Sequence, residues 1–105
     1  MPYKDKGNEY LKKGEFKKAI QAYATCIPLL ESGKKIPGHI AAIIYSNLGL
    51  AHMKLKEYSK GELYQTKAIK VSPKYIKAYG RRATARKALQ KFDHALLDVQ
   101  RVLKE

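Results

Sequence analysis

The sequence predicts an all-α fold built from tandem helical hairpins, and three observations carry that expectation. Sets of residues recur together at a fixed spacing along the chain. Glycine and proline cluster near the joints of the recurring blocks. The composition, 45% hydrophobic and 30% charged, is that of a helix-rich globular chain. At 105 residues there is room for one domain of ordinary size and none for a second core.

The recurrence runs as follows. Tyr3, Tyr45 and Tyr79 each precede, by four residues, a small residue: Gly7, Gly49 and Ala83. Beyond these come Phe16, Tyr58 and Phe92, then Ala19, Gly61 and Ala95, and last Ile27, Ile69 and Leu103. The second and third copies are offset by 34 residues and the first and second by 42, so eight additional residues sit in one connection. A period in this range marks a stack of supersecondary units, each burying its apolar face against the next.

Taken in order, the pattern predicts helices over about 2–13, 16–32, 39–54, 57–70, 74–89 and 92–104, with turns at Gly14, Glu57 and Gln90. Pro28 lies inside the second of these and is expected to kink it or begin its end, since an interior proline forfeits a hydrogen bond. The eight additional residues fall between Ile27 and Tyr45, where Gly33, Pro37 and Gly38 are expected to break any helix. A lengthened second helix and a longer loop follow. Pro73 is expected in the first turn of the fifth helix, where its missing N–H is harmless. Gln65 replaces the large packing residue that Tyr23 and Val99 supply in the other copies, so the fourth helix is expected to be rotated or looser. Leu96, Leu97, Val99 and Leu103 of the last helix are expected to be exposed. That predicts a piece of a longer protein, or a face covered by a second copy through self-association.

Aromatic, small, aromatic and small residues at a 34-residue period resemble the tetratricopeptide repeat, in which small positions let two antiparallel helices touch. The resemblance covers the whole chain and implies three tandem helix-turn-helix hairpins forming a right-handed superhelical solenoid with a concave groove. It divides the chain into repeats over about 2–32, 39–71 and 74–105. First helices line the groove in this family. There Lys4 and Asn8 are spaced i, i+4, as are Lys77 and Arg81, and Asn47 lies 34 residues before Arg81.

Lys and Arg supply charge and N–H donors for carboxylates, and Asn adds a neutral donor. KDKGN at Lys4–Asn8, YSN ending at Asn47, and KAYGR at Lys77–Arg81 resemble the carboxylate-clamp branch of co-chaperones. All five positions match its pattern, and the only two asparagines of the chain occupy two of them. The resemblance implies binding of the acidic C-terminal tail, ending Glu-Glu-Val-Asp, of a cytosolic heat-shock chaperone of the ninety- or seventy-kilodalton class. It also implies a shallow peptide pocket at Leu11, Leu50 and Met53, with Lys54 beside it, although such residues at helical spacing also fit simple core.

Other features exclude more than they offer. The 22 Lys and Arg against 9 Asp and Glu leave a net +13, which favours an acidic partner. Nucleic acid is disfavoured because the aromatics recur at packing positions and no reading motif is present. The basic run Arg81–Lys87 reads as a solvated face. His39, His52 and His94 lack paired ligand spacing and Cys26 stands alone, so neither a metal nor another cofactor is expected. Cys26 reads as core. No acid–base pair, nucleophile set or phosphate loop can be assembled, so no enzyme is expected. Without an export signal or an apolar run of about 18 residues, a cytoplasmic or nuclear address is expected and no membrane partner.

Overall fold

The computed structural model describes residues 2–33 and 36–104. They form six helices: α1 (Pro2–Lys12), α2 (Phe16–Glu31), α3 (Gly38–Lys54), α4 (Tyr58–Val71), α5 (Ile76–Ala88) and α6 (Phe92–Leu103). Each packs on its neighbour in sequence, and the backbone of α3 also comes close to both α1 and α5, whereas α2 meets α4 through long side chains such as the Glu31–Lys67 pair at 3.5 Å. First helices therefore lie closer together than second helices. The stack curves with α1, α3 and α5 on its inner side.

None of α2 to α6 opens on a side-chain cap, so packing rather than capping holds them. One cluster joins Ala19, Tyr23 and Cys26 of α2 to Ile44, Leu48 and Ala51 of α3, and a second joins Ala42 and Tyr45 to Ala68 and Ala78. Ile44 and Leu48 are fully buried, and each contributes roughly 1.5–3 kcal/mol. The small recurring residues permit the close approach. A Cβ on Gly7 would lie 2.6 Å from the Tyr23 ring, and one on Gly49 would lie 2.7 Å from Gln65 Nε2.

The three hairpin turns share one geometry. Gly14, Lys56 and Gln90 take positive φ of 77°, 64° and 64°. The following amides of Glu15, Glu57 and Lys91 donate to the carbonyls of Tyr10, His52 and Arg86, five residues back. This is the Schellman closure. The second turn thus belongs to Lys56, and the expectation of Glu57 is one residue late, since Glu57 is already the residue that opens α4.

Two proline and glycine expectations are also corrected. Pro73 does not open α5. It occupies a turn closed by the Tyr75 amide on the Ser72 carbonyl, where its fixed φ suits the first central position, and α5 begins at Ile76. Gly38 does not break a helix but is the first residue of α3, following Pro37. Relative to the second junction, two of the additional residues lengthen α2, two the connection and four the start of α3. Lys34 and Lys35, within that connection, lie outside the described residues. Helix α2 continues through Pro28 to Glu31.

Helix α4 is not loosened by Gln65, contrary to expectation. The side chain is fully buried, and both ends of its amide are bonded to Ser46 of α3. The last helix does expose Leu96, Leu97, Val99 and Leu103, together with Phe92.

Candidate functional site

The inner side of the stack carries a row of polar side chains, one helix to the next. Arg81 of α5 donates from Nη1 to Asn47 Oδ1 of α3 at 3.0 Å. Asn47 donates from Nδ2 to Asn8 Oδ1 of α1 at 3.1 Å. The Tyr23 hydroxyl of α2 donates to that same Asn8 oxygen. With its oxygen committed twice, Asn8 has only its Nδ2 donors to offer a ligand. Asn47, its oxygen facing Arg81, keeps one further N–H. Three neighbouring hairpin elements thus present donors to one hollow.

Burial shapes the charges here. It pushes the Tyr23 phenol up to about 12, so the hydroxyl remains a neutral donor. It also penalises the Arg81 guanidinium, whose pKa falls below its ordinary value, although the group stays cationic. Among the described residues no carboxylate lies within 4.0 Å of Arg81 or of Lys77, so neither is ion-paired. Both Nη1 hydrogens of Arg81 are used, one on Asn47 and one on the Ser46 hydroxyl at 3.0 Å. Nη2 and Nε remain for an anion.

Lys4 and Lys77 stand one helical turn before Asn8 and Arg81 on their helices and flank the row. Lys77 is exposed. Lys4 is 31% exposed, with Asp5 at the long distance of 3.9 Å. The structure therefore joins Asn8, Asn47 and Arg81 by direct bonds and sets the two lysines at their margins without such bonds.

The tentative pocket fares differently residue by residue. Met53 is buried, its side chain filling the space beside Gly61 of α4, which agrees with the core reading of that position. Leu11 is partly buried against the first core cluster, Leu50 is half-buried and Lys54 is exposed.

Contrary to expectation, Arg82 and Arg86 of the basic run on α5 are not part of a solvated face. Arg82 forms a bidentate pair with the buried Asp98 at 3.0 and 2.7 Å, and Arg86 bridges Asp98 and Glu62. Charges i and i+4 on this helix are used to bind α6 and α4. His52 bonds Glu57 at 2.9 Å and stacks on Tyr64. No group of three metal-ligating side chains occurs among the described residues. None of their helices is long and apolar enough to cross a membrane.

Ser46, Gln65 and Tyr23 belong to this site although sequence reasoning did not place them there. Gln65 left a signal, an amide where a large packing residue recurs. Ser46 left none.

A family model of the tetratricopeptide repeat matches residues 3–29 and 42–75, more than half of the chain. The chain belongs to the tetratricopeptide repeat family. It is 35% identical over 99 residues to the human mitochondrial import receptor subunit TOM70, a match covering 94% of this chain but only 16% of that protein. It therefore spans about a sixth of that relative. Among solved structures, the first TPR of Spaghetti (RPAP3), bound to the HSP90 peptide SRMEEVD, superposes with a TM-score of 0.84 at 33% identity, covering 97% of this chain and 75% of that one. The second TPR domain of human RPAP3, in complex with the HSP70 peptide SGPTIEEVD, gives 0.83 at 32% identity, covering 96% and 78%. This repeat is a protein-interaction fold.

Proposed function

We propose that this chain is a non-enzymatic co-chaperone module that binds the acidic C-terminal tail of a cytosolic heat-shock chaperone of the ninety- or seventy-kilodalton class. The observation that carries the reading is Arg81: a partly buried guanidinium with no carboxylate of its own, bonded only through neutral oxygens, beside two asparagines with donors to spare. A buried cation without a counter-ion favours an anion from outside. The peptide's terminal carboxylate and last Asp side chain lie against Lys4, Asn8, Asn47, Lys77 and Arg81. Upstream acidic residues sense the +13 field. That the peptides named with the neighbouring structures both end in Glu-Glu-Val-Asp supports the chemistry. The repeats run over about 2–32, 39–71 and 74–105, and a cytoplasmic site of action follows from the partner.

Charge-assisted bonds must offset the ordering of a disordered tail, so a dissociation constant near micromolar, about −8 kcal/mol, is expected. Calorimetry with a short peptide ending in Glu-Glu-Val-Asp, as free acid and as C-terminal amide, tests the reading. Binding of the free acid alone supports it. Equal binding of both would instead favour an internal segment lying in the groove, and no binding of either would sink the chaperone assignment.

A further inference from the structure

The recurring position held by Tyr23, Gln65 and Val99 lies on second helices, yet two of its three occupants reach the groove. Tyr23 does so directly, through its hydroxyl on Asn8. Gln65 does so through one intermediary. The Ser46 hydroxyl gives its single proton to Gln65 Oε1 at 2.5 Å, which turns an Oγ lone pair towards Arg81 Nη1 at 3.0 Å. Gln65 is in turn locked by its Nε2 bond to the Ser46 carbonyl at 2.9 Å. The opposite amide orientation would set oxygen against that carbonyl, so only one orientation serves both bonds.

The first helices are shaped to admit these side chains. Gly7 and Gly49 are the positions where a Cβ would strike the Tyr23 ring and the Gln65 amide, at 2.6 and 2.7 Å. In the third hairpin, where the occupant is Val99 and nothing reaches through, the matching residue is Ala83. Glycine and polar reach occur together and are absent together.

We infer that Tyr23 and Gln65 are positioning residues for ligand recognition, each passing beside a glycine to fix a groove donor: Tyr23 fixes Asn8, and Gln65, through Ser46, fixes Arg81. This rests on the peptide-binding reading above for its consequence, but not for its geometry. A guanidinium held by two oxygens on one nitrogen presents its remaining edge in one orientation, which lowers the ordering cost of bidentate carboxylate recognition.

The first readout needs no ligand. In the unliganded protein labelled with 15N-arginine, the Arg81 Nη resonances of the wild type are expected to be resolved by hindered rotation, and to collapse in Gln65→Met and in Ser46→Ala. Resonances that are already averaged in the wild type, or unchanged in both variants, overturn the positioning. The second readout is NMR titration with the free-acid peptide. Each variant is expected to bind about 5- to 20-fold more weakly, with little further loss in an Arg81→Ala background. Wild-type affinity in both variants, or a loss that persists in full without Arg81, overturns the inference. A wild type that ignores the peptide while the Arg81 resonances still respond to Gln65→Met would defeat the chaperone-tail reading and leave the positioning intact.

Discussion

Helix α5 carries arginines with opposite fates. On one face Arg82 and Arg86 are saturated by carboxylates, Asp98 receiving both and Glu62 shared with Lys91. On the other, Arg81, adjacent in sequence to Arg82, touches only a hydroxyl and an amide oxygen. All three are cations on one helical turn and a bit, so residue type does not decide the role. What decides it is the charge of the partner. Arginines paired with acids bind hairpins together, and the arginine held by neutral groups keeps its field for a ligand.

That contrast can be broken at either face. Asp98 is 2% exposed, and Asp98→Ala would leave two guanidinium groups without their shared acid. A loss of about 3–5 kcal/mol in unfolding free energy is expected from urea denaturation, while peptide affinity of the folded fraction stays near wild type. Arg81→Ala should do the reverse. Affinity for the free-acid peptide falls about 30-fold, the scale of lost charged hydrogen bonds, and the urea midpoint moves little.

A smaller effect is expected in acid. Burial raises the Glu62 pKa, but the hydrogen bonds from Lys91 and Arg86 outweigh it, and the net value lies below the ordinary 4.5. A depressed carboxylate contributes stability that is present above its unfolded value and lost as pH falls from about 4.5 through the folded one. Unfolding midpoints across that window should therefore drop in the wild type and drop less in Glu62→Gln. An equal slope in both proteins would assign the acid sensitivity elsewhere.

The helices were legible because their recurrence is long and their small residues sit where helices must touch. Asn8, Asn47 and Arg81, which the structure bonds in a row, had been singled out by spacing, i and i+4 on one helix and 34 residues between helices. What the spacing could not reveal is depth. Gln65 reads as a defect in an apolar pattern until Ser46 is seen opposite it, and Met53 fits groove or core until its side chain is seen beside Gly61. The arginine run was misread for the same reason. Asp98 and Glu62, which neutralise it, lie on helices that only packing brings to α5. The turn of Lys56 was placed one residue late, although the 34-residue offset from Gln90 points to it.

Cys26 gives the molecule an unplanned gauge. It is the single cysteine of the chain, 1% exposed between α2 and α3, and burial raises its thiol pKa further from reactivity. A thiol reagent in water can reach it only when the first hairpin lifts from the second. The rate at which that one sulfur is labelled therefore counts openings of this junction without any engineered probe, and ligand spanning α1, α3 and α5 would slow the count.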